Sequence, residues 1–211
     1  MSQSRVPSLP KARLEAFSDG VIAIIVTILV LEIHVPSLNG ADIDELLYAA
    51  MAHALPTVAA YAASFIVVLV FWTAHQHLMH SLVRVDRNLQ WLNGLFLMVL
   101  AFVPAPTAII GQYPQTKGAT VLYGAVLALS GLAFALMRWY ATARPGLMHE
   151  SISRADRARA VWRGMLSPIL YGAGAVIGLI DRHLAWALFL VVPLLYILPG
   201  AFDRAAHRLE H

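Results

Sequence analysis

The residues of this chain best suited to chemistry are few, and they sit where ionisable groups are costly. Arg13, Phe17, Ser18 and Asp19 crowd the start of RLEAFSDGVIAIIVTILVLEIHVP (residues 13–36), a stretch almost wholly apolar after Asp19. A carboxylate at membrane depth is expensive and marks a functional site whose partner has to be found. A second apolar run ends in FWTAHQHLMH and supplies His75, His77 and His80, and Asn93 lies in a third. His77 and His80 are three apart and share a helical face, whereas His75 points roughly the opposite way. Imidazoles suit zinc, copper or nickel, yet no HExxH or Cys/His pattern brings further ligands to that face, so no tightly bound metal is expected. The expected role is hydrogen bonding. A buried carboxylate must be paired, and His75 and His77 lie near the inner end of their span, at about the depth of Ser18 and Asp19. Asn93 is a candidate for the same cluster, and capping of the membrane interface is the alternative use of the histidines.

The function classes that drop out are equally informative. There is no cysteine, which excludes disulfides, thiolate metal sites and cysteine nucleophiles. Neither GxSxG nor a P-loop occurs, and no carboxylate pair lies deep in an apolar run, so neither an enzyme nor a cofactor is expected. The TVGYG carbonyl filter of ordinary potassium channels is missing too. The formal net charge of +3 reflects the placement of arginines about a membrane rather than a nucleic-acid partner.

The elements that must position these residues are membrane spans. The 211 residues are 59% hydrophobic and 13% charged, against roughly 45–50% and about 25% in soluble domains. The expected fold is an all-α membrane protein of six transmembrane helices, at about 14–35, 47–80, 89–111, 118–139, 164–180 and 184–202. These form one channel-sized domain, residues 13–203, between tails at 1–12 and 204–211. The second run is too long for a bilayer of ~30 Å, so Pro56 is expected to kink it or to divide a surface segment from the span. Pro104 and Pro106 break the third near its outer end. Residues 143–163 form the one sizeable polar loop, expected as a short basic amphipathic helix on the surface. Trp139 and Tyr140 form an interfacial belt, and Gly174 and Gly178 stand in a GxxxG spacing. With both termini cytoplasmic, thirteen Lys/Arg fall on inner segments and only Lys117 and Arg182 on outer loops. That split satisfies the positive-inside rule, and an odd number of spans would spoil it.

A helical wheel sorts the first span. Phe17, Gly20, Ile24, Thr27, Ile28, Leu31 and Val35 fall on one stripe, while Ser18 and Asp19 point away from it. Glu32 and His34, with Asp42, Asp44 and Glu45 just beyond, form an acidic outer mouth that would concentrate cations. Solvated loop acids are the bland reading of the mouth, and ordinary helix packing that of the stripe.

Arg13-x-x-x-Phe17-Ser18-Asp19 at the head of a first span resembles the signature of the transmembrane protein 175 family, the endolysosomal potassium channel of animals and its bacterial relatives. The likeness continues in Phe71-Trp72-x-x-His75, in Asp86-Arg87-x-Leu89-x-Trp91-Leu92-Asn93 and in Phe102-Val103-Pro104-x-Pro106-Thr107. The resemblance implies a homotetramer in the bacterial inner membrane, with first helices around a central pore that has no carbonyl filter. Ile24 would be the narrowest ring, with Thr27 beside it and Ile28 and Leu31 continuing the wall, so that permeating K+ passes near Ile24 and Thr27. A buried polar network would comprise Arg13, Phe17, Ser18, Asp19, His75 and Asn93. Relatives often place two adjacent histidines in the second span; here Gln76 follows His75. The implied function is a modestly potassium-selective channel. The rival is a proton- or cation-coupled secondary transporter using Asp19 and the histidines, and a membrane scaffold without flux is a third class.

Overall fold

The structure is a computed structural model that describes residues 11–33 and 43–197. Seven helices follow one another in it: α1 (Lys11–Leu31), α2 (Ile43–His80), α3 (Arg87–Leu100), α4 (Pro104–Gln112), α5 (Lys117–Ala143), α6 (Arg154–Ile177) and α7 (Arg182–Ile197). Among the described residues there is no strand, only an isolated bridge between Leu82 and Met148. Five segments are long and apolar enough to cross a membrane: α1, α2, the pair α3–α4, α5 and α6. The sixth expected span is present as α7, which has 16 residues; the rest of its expected range, both chain ends and His34 lie outside the described residues.

Contacts between helix ends fix the alternation. Lys11 Nζ at the start of α1 donates to the carbonyl of Leu82, just past the end of α2 (2.9 Å). Tyr140 near the end of α5 donates to Asp86, the cap of α3 (2.8 Å), and Arg138 donates to Ala160 O on the early turns of α6 (3.1 Å). Tyr196 near the end of α7 reaches Arg163 O (3.1 Å). At the opposite end Gly111 meets Thr57 and Arg182 reaches Gln115 O (3.5 Å). The helices therefore run up and down, with Arg84, Arg138, Arg144, Arg154, Arg157 and Arg163 at one end and Lys117 and Arg182 at the other.

Local chemistry sets the boundaries. Asp86 caps α3 through Leu89 N (2.9 Å). At Pro104 and Pro106 the helix loses two N–H donors, and the chain tightens into i→i+3 bonds such as Val103 N to Leu100 O (3.1 Å) before continuing as α4. Asp181 precedes α7; the backbone N–H groups of Leu184 and His183 (3.3 and 2.8 Å) hold its carboxyl below the usual range.

Two expectations need correction. Pro56 lies inside a continuous 38-residue α2, about 57 Å long at 1.5 Å per residue, rather than at a division between two segments. The amphipathic stretch expected at 143–163 is not a separate surface helix: residues 154–163 are the first turns of α6. Ser153 starts that helix by accepting from Asp156 N (3.1 Å), and its hydroxyl also meets the Asp156 carboxylate (2.6 Å). Nothing between Arg163 and the apolar part stops the helix, since an isolated glycine such as Gly164 costs only ~1 kcal/mol.

The core is built around α5, against which α3, α4, α6 and α7 pack. Phe71, Phe96 and Phe134 meet at centroid distances of 5.2–6.4 Å. Phe189 of α7 fills the space left by two glycines, since a Cβ at Gly124 or Gly174 would come within 2.7 or 2.4 Å of its ring. Small residues admitting close approach are how helices associate in lipid, where apolar surface gains nothing by leaving its solvent. The first helix stands to one side, touching α2, α3 and α4.

Candidate functional site

The first helix has two unlike faces. Ser18, Ile22, Ile25 and Leu29, at i, i+4, i+7 and i+11, are all buried and form the side that packs on the rest of the subunit. Phe17, Ile24, Thr27, Ile28 and Leu31 are exposed, with Ile24 at 59% and Leu31 at 69%. A Cβ at Gly20 would meet nothing within 4 Å, so the stripe is open from Phe17 to Leu31. Thr27 turns its hydroxyl back onto Ile24 O (2.8 Å). Glu32 is half-buried in the turn that ends the helix.

Polar contacts hold the buried face. His75 on α2, Asn93 on α3 and Ser18 on α1 are each fully buried and linked in series. His75 Nε2 lies 2.8 Å from Asn93 Oδ1, Asn93 Nδ2 donates to Ser18 Oγ (3.0 Å), and Ser18 Oγ donates to Leu14 O (2.8 Å). Each donor is already committed, so the chain closes only if the imidazole carries its proton on Nε2. The ring stacks on Phe96 with centroids 5.9 Å apart, and its Nδ1 is buried without a partner among the described residues. Three helices are thus tied by one directed series of hydrogen bonds at a single level of the bundle.

Asp19 belongs to a neighbouring cluster. It is half-buried and accepts on Oδ1 from Trp72 Nε1 (3.0 Å) and from Gln76 Nε2. Its partners are therefore not histidines: Trp72 and Gln76, four apart on α2, share the face that meets α1. Gln76 stands where relatives often carry a second histidine. Arg13 and Phe17 also differ from the expectation of a buried network, since both are exposed. The reason is register: residues 13 and 17 lie one turn apart on the open stripe, about 140° and 100° from Ser18. His77 and His80 are exposed near the end of α2. Among the described residues no group of three or more His, Cys, Asp and Glu converges on a point.

A second buried cluster was not anticipated. Ser64 of α2 bonds Thr107 Oγ1 (2.7 Å) and Tyr123 OH (3.0 Å), and all three are nearly or fully buried. Thr107 also donates to Val103 O (2.8 Å), next to the proline break. The available signal was three hydroxyls in otherwise apolar spans; their meeting depends on how α2, α4 and α5 cross.

The chain as a whole is similar to known proteins. A family model described as the endosomal/lysosomal potassium channel TMEM175 matches residues 13–104. The chain is 40% identical over 152 residues to a protein named as a potassium channel from Streptomyces collinus, covering 70% of this chain and 72% of that one. It is 30% identical over 191 residues to another so named from Chryseobacterium, covering 90% and 94%. The crystal structure of a lysosomal potassium-selective channel TMEM175 homolog from Chamaesiphon minutus superposes with a TM-score of 0.77 at 28% identity, over 90% of this chain and 98% of that one. With five helices able to cross a membrane and relatives at this level, the chain is a multi-pass membrane protein and belongs to the TMEM175 family.

Proposed function

We propose that this chain is a potassium-conducting channel in which first helices from four copies surround the ion path. The observation that carries the reading is the division of α1. One face is locked into the subunit by Ser18, Asn93 and His75, while Ile24, Thr27, Ile28 and Leu31 are left uncovered along the other. Four copies meeting on that stripe would make stacked rings of branched aliphatics. The potassium-channel names carried by the relatives, and a fold shared with a structure described as a potassium-selective channel, support the same reading.

Ile24 is assigned to the narrowest ring, Thr27 to hydroxyls beside it, and Ile28 and Leu31 to the outward wall. Such a ring selects by dehydration: potassium sheds its water more readily than sodium. It also gates by dewetting. Because no fixed dipoles replace the lost water, selectivity is modest. Arg13, Phe17 and Asp19 flank the inner end, and Glu32 the outer. Both termini are assigned to the cytoplasm, with the arginine-rich end of the bundle inside, in the inner membrane of a bacterial cell.

The test is potassium flux from liposomes together with reversal potentials. Ile24→Asn wets the ring and moves the reversal potential toward the sodium value; unchanged potentials would remove Ile24 from the constriction. A coupled carrier is the rival. It needs Asp19 and a histidine on one route, whereas Asp19 bonds Trp72 and Gln76 and His75 bonds Asn93. Saturable, stoichiometrically coupled exchange in the same liposomes would decide for the carrier.

A further inference from the structure

At the arginine-rich end of the bundle α5 and α6 splay apart and leave an open cleft of about 320 Å³, lined by Trp139, Thr142, Ala143, Arg154, Arg157, Ala158 and Val161. Its chemistry is one-sided. Two guanidiniums line it and no carboxylate does. The nearby Asp156 carboxylate is already engaged by Ser153 and by Arg159 (3.3 Å). Arg157 is held in place from behind, its Nε on Ile152 O (3.1 Å) and one terminal nitrogen on His149 O (3.0 Å). That anchoring leaves its other terminal nitrogen available. Arg154 is exposed and engages no acid among the described residues. The cleft also lies on the first two turns of α6, where the positive end of the helix dipole favours an anion. Its remaining walls are apolar, and Trp139 stands beside them, 56% exposed, as an indole does at a headgroup boundary.

We propose that this cleft binds the headgroup of an anionic phospholipid, its phosphate between Arg154 and Arg157 and its glycerol and first methylenes against Trp139, Ala158 and Val161. Two cations without an acid call for an anion, and basic pockets between spanning helices are suited to acidic headgroups. The apolar walls and the indole distinguish a lipid from a free anion. The volume is at the lower end of small-molecule sites and holds a headgroup but not a whole lipid. Assignment to the inner leaflet rests on the orientation proposed above; binding itself does not.

The test is native mass spectrometry of the full chain in detergent, titrated with phosphatidylglycerol or phosphatidylcholine, which requires no membrane orientation and no flux. Phosphatidylglycerol should be retained in preference. Arg154→Gln, whose side chain supports no other contact, should weaken its retention about fivefold, the worth of one arginine at a membrane surface. Arg87→Gln, exposed at the same end of the bundle but outside the cleft, should leave it unchanged. Trp139→Ala should weaken both lipids. Equal retention of the two lipids by the native chain would overturn the proposal, as would equal loss in the Arg154 and Arg87 variants. Displacement of the lipid by millimolar inorganic phosphate would mark a free-anion site and overturn the lipid assignment. Failure of channel activity with lipid preference intact would sink the proposed function alone.

Discussion

Asn93→Leu is the sharpest perturbation of the buried series, because leucine keeps the branching and heavy-atom count of asparagine and opens no cavity, its bulkier methyl groups adding only to the cost. Two hydrogen bonds vanish, those to His75 Nε2 and Ser18 Oγ (2.8 and 3.0 Å). Within spanning helices such bonds average about 0.6 kcal/mol each, or about 1.2 kcal/mol for the pair. The larger effect is what remains. Ser18 keeps its bond to Leu14 O, but the His75 N–H is stranded in a site with no solvent, at a cost of about 1–3 kcal/mol. The expected loss is about 2–4 kcal/mol, read from reversible SDS or thermal unfolding in detergent. The reasoning makes a sharper claim about the double variant. His75→Phe with Asn93→Leu removes donor and acceptor together, and replacing both partners by apolar groups can be nearly neutral. It also removes the orphaned Nδ1. The double variant should therefore be more stable than Asn93→Leu alone by at least about 1 kcal/mol. A cost for Asn93→Leu below about 0.5 kcal/mol, or a double variant equal to the sum of the singles, would refute the stranded-donor argument.

Other perturbations test other parts of the bundle. Asp19→Ala removes the acceptor shared by Trp72 and Gln76; since Asp19 is only half-buried, solvent replaces part of the loss, and about 1–2 kcal/mol is expected, with Asp19→Asn costing less because one carbonyl oxygen remains. Gly174→Ala drives a methyl to within 2.4 Å of the Phe189 ring, which is caged by Tyr123, Tyr171 and Trp186. That overpacking should cost about 1–3 kcal/mol, and Phe189→Leu should recover part of it in the same unfolding assay.

Much of this molecule is legible from hydropathy and punctuation. Apolar runs locate α1 and α5, and Pro104 with Pro106 locates the break between α3 and α4. The fused start of α6 was not legible from polarity, because a basic amphipathic stretch reads as a surface segment whether or not it continues into a span. The Ser153-x-x-Asp156 cap was the sequence sign of where that helix begins. Pro56 misleads in the opposite direction: it reads as a division between two segments, yet α2 runs through it unbroken. The polar residues were identifiable one at a time, as Ser18, Asp19, His75 and Asn93 are each out of place in lipid. Their pairing was not. It depends on the angles at which α1, α2 and α3 cross, and the crossing sends His75 to Asn93 and Gln76 to Asp19. Arg13 and Phe17 entered the expected network through the resemblance, although their register puts them on the open stripe.

That register joins the hydrogen-bonded series to the proposed ion path. Ile24 lies six residues after Ser18, so the two side chains point about 120° apart around α1. Fixing the direction of Ser18 fixes that of Ile24, and loosening one frees the other. Two serine deletions separate this coupling from simple loss of stability. Ser18→Ala and Ser64→Ala each remove one buried hydroxyl and two hydrogen bonds and strand one donor, Asn93 Nδ2 or Tyr123 OH, so each should cost about 2–4 kcal/mol. Ser18 acts on α1, whereas Ser64 ties α2 to Thr107 and Tyr123 and touches neither face of the first helix. If rotation of α1 sets the constriction, Ser18→Ala should shift the reversal potential toward sodium while Ser64→Ala leaves it unchanged at matched stability. Equal shifts would mean that flux responds to general loosening of the bundle, and the clamp on α1 would have no special role. No shift in either would mean that Ile24 is held in register by the packing of Ile22, Ile25 and Leu29 alone, with the polar series serving only to join the three helices.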